Sequence, residues 1–462
     1  MFKEERLSVY RTLLLLILVF VTTVTTAQTN PYYTGADLSY LNTLQNNGTQ
    51  YFDPAGNPIN PYKYFAQRGA TLTRLRLFHT PENLTDACGQ PITASNLADV
   101  LLAARRATEA GMAIKLAIHY SDYFADPGRQ LRPAAWAGLS GQVLLDSITN
   151  YTTQVLAALH AQGTTPAIVA IGNETTNGFV DATERTDGFT WPEDAGKFNA
   201  GLAAIRAFNQ SHGTDIRSAL HVTEQSARFA ARTLADNGVT DYDLLGLSYY
   251  PFFSPDTDLD DLATLITELR VDYGKDVMIF ETGFSYTTGF ADDYRNFIGG
   301  NGNVLPYAES PAGQRAFLLD LSATVRAAGG SGVIYWEPAW VTSELCDLWD
   351  QGSSYENATL FDLDGRALPG LDFFAVSPVS TVTRSPPGIE VFPNPVTGHE
   401  LTLWGVDGPF TWQLYDSSGR WVAAGRGLGS VARLSLPVGL RGACWLRLEV
   451  AGDEAVLPLL ID

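Results

Sequence analysis

Glu174 stands where a carboxylate is expensive. Ile168 to Ile171 is an apolar run that reads as a buried strand; Gly172 frees the backbone, and Asn173 and Glu174 follow at once. A charge at the end of a buried strand is costly unless it is used or paired. Glu281 repeats the arrangement after the apolar run Val277 to Phe280. If both strands open into one mouth, the two glutamates face each other across a cleft. Two carboxylates so placed can hydrolyse a glycosidic bond: one, protonated, donates to the leaving oxygen, and the other, ionised, attacks the anomeric carbon. One residue type must then work at two different pKa values, so the surroundings must separate them. Arg76 and Tyr249 are expected beside Glu281, where charge and hydrogen bonding would keep it ionised. Glu174, next to Asn173, would be the acid, and the Asn173 amide would hold the sugar 2-hydroxyl. Asn173-Glu174-Thr175 also spells a glycosylation sequon, but a glycan there would plug the mouth. The plain alternative is a pair of salt bridges at a barrel rim.

The elements that must position these groups are short apolar runs ending in polar residues. They are Gly35–Leu41, Thr71–Phe78, Ala113–Tyr120, Ile168–Glu174, Ile216–Thr223, Leu244–Tyr250, Asp276–Gly283 and Gly332–Pro338. Helix-like segments lie between them; Asn96–Met112 repeats apolar positions at helical spacing and stops near Gly111. Eight alternating strand and helix units predict a (β/α)8 barrel, in which the site sits at the C-terminal ends of the strands. Those ends carry Asp37, Arg76, His119, Asp122, Asn173, Glu174, Tyr249, Glu281 and Trp336, groups that hydrogen-bond or stack on a sugar.

Composition narrows the partners. The chain has 462 residues, a net charge of -20, nine Trp and 20 Tyr. A polyanion gains nothing from a phosphate backbone, which argues against nucleic acid. Lys3, Arg6 and Arg11 precede the apolar run Leu13 to Val21 and the small residues TTVTTAQ, the pattern of a signal peptide cleaved after Ala27. Of the three cysteines, at least one has no partner within the chain, and buried thiols are the default reading. Cys88 and Cys346 follow strands two and eight on the same face, and are the two that a disulfide could join.

The chain resembles glycoside hydrolase family 53, the endo-β-1,4-galactanases of clan A. The segments that carry the likeness are GADLSYL, RLRLFHTP, GMAIKLAIHYSDYFADPGRQLRPAAW, IVAIGNETTNGF, LSYYPFF, FETGFSY and YWEPAWV, spanning Gly35 to Val341. The resemblance implies Glu174 as acid/base and Glu281 as nucleophile. It implies sugar contacts at Asp37, Arg76, His119, Asp122, Asp126, Trp136, Asn173, Tyr249, Trp336 and Trp340, and β-1,4-galactan as substrate. Phe124 and Phe253 stand where the family often carries Trp, and GFSY follows Glu281 in place of Ala-Tyr-Pro. Another clan A β-glycanase, acting on mannan or glucan, and a barrel that binds glycan without cutting it are the competing readings. No cofactor is required; FDLDG near Asp362 lacks the full ligand spacing of a calcium loop, so calcium is compatible with the chain but not called for.

After Phe374 the texture changes. A Pro-, Ser- and Thr-rich linker (376–388) leads to short alternating strands over 389–462 that predict a small β-sandwich. VFPNPVTG and LYDSSGR resemble a type IX secretion sorting domain. A secreted or cell-surface monomer is the expected product, its tail engaging secretion machinery; a sugar-binding module is the alternative for the tail.

Overall fold

The computed structural model describes residues 31–375 except 185, 187 and 300–305, and most of 389–461. The expected signal segment and linker lie outside the described residues, as do parts of VFPNPVTG and LYDSSGR. Eight strands form the first domain: β1 Tyr33–Asp37, β2 Leu72–Leu77, β3 Ala113–Ile118, β4 Ile168–Ile171, β5 Arg217–Thr223, β6 Leu244–Ser248, β7 Asp276–Glu281 and β8 Gly332–Tyr335. They close into a barrel, each paired in parallel with its sequence neighbours and β8 with β1. Around it run α1 Leu41–Asn46, α2 Pro61–Gln67, α3 Leu97–Glu109, α4 Gly141–Ala161, α5 Glu193–His212, α6 Ala227–Asp236, α7 Leu259–Tyr273 and α8 Pro311–Ala327.

The strands are apolar because both faces are covered, by helices outside and by side chains inside. Leu72, Ile168, Ala170, Ala219, Leu244, Met278, Phe280 and Ile334 fill the interior as one cluster. Helix starts follow their caps: Asn96 accepts from the Asp99 N–H before α3, and Ser310 from the Gly313 N–H before α8. Beneath β4 the helix comes close. A Cβ on Gly201 of α5 would lie 2.7 Å from the Ile171 side chain, so glycine there lets α5 press against the strand that delivers Glu174. Several expected strand ends are not strand. Leu41 opens α1, and Asn173 and Glu174 lie beyond the last residue of β4.

Cys88 and Cys346 form a disulfide, their Cα atoms 6.0 Å apart, which corrects the default reading of three thiols. It joins the loop after β2 to the loop after β8, with only β1 between those strands. Closing so long a loop constrains the unfolded chain, an effect of about 2–4 kcal/mol. Reduction, or Cys88→Ser with Cys346→Ser, should therefore lower the melting temperature by several degrees in a thermal scan; an unchanged midpoint would deny the bond a stabilising role.

In the tail, β9 Glu390–Phe392, β10 Glu400–Trp404, β11 Pro409–Asp416, β12 Trp421–Leu428, β13 Val431–Ser435, β14 Gly442–Val450 and β15 Asp453–Ile461 make two antiparallel sheets, ordered β9-β10-β13 and β12-β11-β14-β15. Their facing residues, among them Leu401, Leu403, Leu414, Leu446, Leu448 and Leu459, share one apolar core. This is the expected small β-sandwich.

Candidate active site

The turn after β4 is built to aim a side chain. Gly172 has φ +84°, and a Cβ there would sit 2.4 Å from the Thr175 side chain. Glu174 itself has φ +46°, a left-handed conformation that costs a non-glycine residue roughly 1–3 kcal/mol. Neighbours hold it: Thr175 N–H donates to the His221 carbonyl at 2.8 Å, and Gln130 Nε2 donates to the Asn173 carbonyl at 2.9 Å. The result is a Glu174 side chain that lines a cleft of about 850 Å³ at the barrel mouth. Burial, and then the negative charge of Glu281, push its pKa up to about 8, so the acid form persists at neutral pH.

Glu281, the last residue of β7, lines the same cleft. Its Oε1 accepts from Arg74 Nη2 at 2.5 Å and its Oε2 from the Tyr250 hydroxyl at 3.0 Å. Both expected partners are therefore corrected by one or two positions. Arg74, not Arg76, holds Glu281; Tyr250, not Tyr249, donates to it. Successive residues along a strand point to opposite faces, so the side of Ser248, which lines the cleft, passes to Tyr250 and not to Tyr249. Tyr249 instead turns its hydroxyl to the Thr257 carbonyl, 2.9 Å away.

Arg74 is fully buried and also binds Asp37 and, at 2.7 Å, Asn173 Oδ1. Removing one partner from a buried ionic cluster strands the others. Arg74→Met should cost about 3–5 kcal/mol of stability in denaturant unfolding; a loss under ~1 kcal/mol would mean Asp37 and Glu281 find other compensation.

The remaining expected residues divide. Arg76, His119, Asp126, Asn173, Trp336 and Trp340 line the cleft with the two glutamates. His119 Nδ1 accepts from the Ala125 N–H at 3.0 Å, which leaves Nε2, without a hydrogen-bond partner among the described residues, as a donor. Burial, with Arg74 and Arg76 nearby, holds that imidazole neutral, well below its ordinary pKa. Asn173 spends Oδ1 on Arg74 and one amide hydrogen on the Ala125 carbonyl at 2.9 Å, which leaves its other amide hydrogen to donate.

Asp37, Asp122, Trp136 and Tyr249 are not among the residues that line the cleft. Asp37 lies beneath it as the counter-ion of Arg74. Asp122 accepts from the Thr80 and Ala134 N–H groups at 3.0 and 2.8 Å and so ties two loops together. Trp136 is packed among His79, Tyr120 and Tyr151.

Sequence reasoning missed several groups here. Arg76 pairs with Glu337 at 2.6 Å, and its guanidinium sits 4.5 Å from the Tyr40 ring, 4.8 Å from Phe124 and 5.8 Å from Trp336. Burial raises the Glu337 carboxyl to about 8 against the pull of Arg76. A run of aromatic contacts follows the cleft: Trp349 against Phe124, then, through the buried Tyr40, Trp340, Trp336, Phe297 and Phe253, with neighbouring centroids 4.8 to 6.5 Å apart. Trp349 is 58% exposed, Phe253 49% and Phe297 38%, surfaces free for a sugar face. Trp349 and Phe297 come from loops with no periodic signal. Asp362 spends Oδ1 on the N–H groups of Asp364 and Arg366 within its own turn. Among the described residues no His, Cys, Asp and Glu cluster is arranged to hold a metal, and no helix is long and apolar enough to cross a membrane.

A family model described as glycosyl hydrolase family 53 matches residues 33–374. The chain is 38% identical over 365 residues to an arabinogalactan endo-β-1,4-galactanase of Cellvibrio japonicus, covering 78% of this chain and 94% of that one. It is 32% identical to an endo-β-1,4-galactanase of Bacillus subtilis, covering 74% and 84%. Among solved structures, the family 53 catalytic domain of Ignisphaera aggregans superposes with a TM-score of 0.67 at 28% identity, over 74% of this chain and 95% of that one. A fungal β-1,4-galactanase superposes with a TM-score of 0.62 at 26% identity, covering 74% and 99%.

Proposed function

Because the chain belongs to glycosyl hydrolase family 53, we propose that it is an endo-β-1,4-galactanase that cleaves galactan by double displacement with retention. The observation that carries this is the contrast between the two cleft carboxyls. Glu174 keeps its proton to about pH 8, while Glu281 accepts hydrogen bonds from a guanidinium and a phenol. Glu174 gives its proton to the leaving oxygen as Glu281 attacks the anomeric carbon. The glycosyl-enzyme then forms, and Glu174, now a carboxylate, activates the water that releases it. The remaining amide hydrogen of Asn173 donates to the sugar 2-hydroxyl. His119 Nε2 and the Trp336 and Trp340 rings supply further sugar contacts, and Trp349, Phe253 and Phe297 extend the platform along the chain.

An N-terminal signal peptide and a tail that acts as a sorting domain for the secretion machinery would place the enzyme outside the cell, as a monomer. Neither a cofactor nor calcium has a step in this scheme. The deciding experiment is a panel of galactan, mannan and β-glucan, with the anomer of the first product read by proton NMR. Release of β-anomeric galacto-oligosaccharides from galactan is expected. Preference for mannan or glucan would favour the rival clan A reading, and binding without release the non-catalytic one.

A further inference from the structure

Behind the acid lies a chain of polar groups that the scheme above does not use. Ser248, the last residue of β6, lines the cleft beside Glu174, a neighbour that would lower the Glu174 pKa if its hydroxyl donated to the carboxylate. Its Oγ is 2.9 Å from His221 Nε2. His221, on β5 and fully buried, places Nδ1 3.0 Å from Asn173 Oδ1. Asn173 Oδ1 also accepts from Arg74 Nη2, which donates to Glu281 as well. Both proposed catalytic carboxyls are thus ends of one string: Glu174, Ser248, His221, Asn173, Arg74, Glu281.

The direction of each bond follows from what each atom can do. Asn173 Nδ2 donates to the Ala125 carbonyl, which fixes the amide so that Oδ1 faces the histidine. An amide oxygen only accepts, so His221 must carry its hydrogen on Nδ1. Burial, with Lys115 and Arg74 nearby, holds the ring neutral, so Nε2 is a bare acceptor. Ser248 has one hydrogen, and Nε2 takes it. What remains on the serine oxygen is lone pairs, which can only accept.

We propose that Ser248 and His221 are positioning residues for the acid: His221, set in its Nδ1–H form by Asn173, takes the Ser248 hydrogen, so the serine oxygen accepts the acid hydrogen of Glu174. A serine free to turn would donate to the carboxylate and favour loss of the proton. This one is committed, and therefore favours the acid. The other charged or titratable groups that face Glu174 are Glu281 from β7, Asp126 from the loop after β3, Arg74 from β2 and Tyr250 after β6. Those that face His221 are Lys115 and His119 from the β3 region and Arg74.

The assignment rests on Glu174 as the acid, and its test is separable from that reading. In Ser248→Ala the alkaline limb of kcat/KM on galactan should move to lower pH by about half to one unit, and Ser248→Thr should restore it. A limb that stays put or moves up overturns the relay while leaving the acid assignment intact. Independently of any variant, nitrogen NMR of histidine-labelled wild-type protein should show His221 neutral and protonated at Nδ1. The Nε2–H form, or an imidazolium at neutral pH, overturns the proposal even if Ser248→Ala does not fold.

Discussion

Glu281→Ala should abolish galactan cleavage, with kcat/KM falling on the order of 10⁴-fold or more, as when a covalent nucleophile is removed from a unit that works together. Every galactoside should be affected, including aryl galactosides with good leaving groups, because no substrate can bypass the missing carboxylate. Added azide should restore turnover on an activated aryl galactoside and give a product of inverted configuration. A small anion then fills the vacated space and attacks from the same side as Glu281 did. Activity kept within tenfold of wild type would end the assignment of Glu281. Folding must be checked by circular dichroism, since Arg74 loses one of its partners. It keeps Asp37 and Asn173, so the cluster is not left without a counter-ion.

Glu174→Gln should behave differently. A loss of about 10²–10⁴-fold is expected on galactan, the range for a general acid, but much less in the first step on aryl galactosides, whose leaving groups need no proton. The wild-type enzyme should lose kcat/KM on galactan as pH rises through about 8, where Glu174 gives up its proton. The sign follows from the role: the acid form works, and a raised pKa extends its range upward. Burial comes first among the causes and the charge of Glu281 second. Neutralising that charge with Glu281→Gln should therefore lower the Glu174 pKa, which carbon NMR of the labelled carboxyl can read. Equal losses on both substrate types, or a flat profile between pH 7 and 9, would remove Glu174 from the acid role.

The barrel could be read from sequence because each strand is an apolar run buried on both faces, and because glycines and polar residues mark every exit. Glu174 and Glu281 stood out for the same reason, as charges attached to apolar runs. Their partners did not. Arg74 and Arg76 share one face of β2 two residues apart, and spacing alone does not say which sits level with Glu281. Tyr249 and Tyr250 differ by one residue, and both lie past the last residue of β6, so which of them faces the cleft depends on how the chain leaves the strand. His221 left a trace, a polar residue inside the run SALHVT, but no motif connects it to Ser248. Trp136, expected at the sugar only through the family resemblance, packs instead among His79, Tyr120 and Tyr151, a place that no local pattern in the sequence reveals. Trp349 and Phe297 lie on long loops whose course depends on tertiary contacts and, for Trp349, on the nearby Cys88–Cys346 bond.

That bond changes what a protease can do. It turns the stretch from Cys88 to Cys346, with a sequence separation of 258, into a covalent ring that contains strands β3 to β8 and both proposed catalytic glutamates. A single nick in any surface loop of that ring opens it without releasing either piece. The tail beyond the barrel lies outside the ring, so no disulfide joins it to the barrel across a cut before β9. On a denaturing gel without reductant, a ring nicked once should therefore travel as one band and separate into two only when a reductant is added.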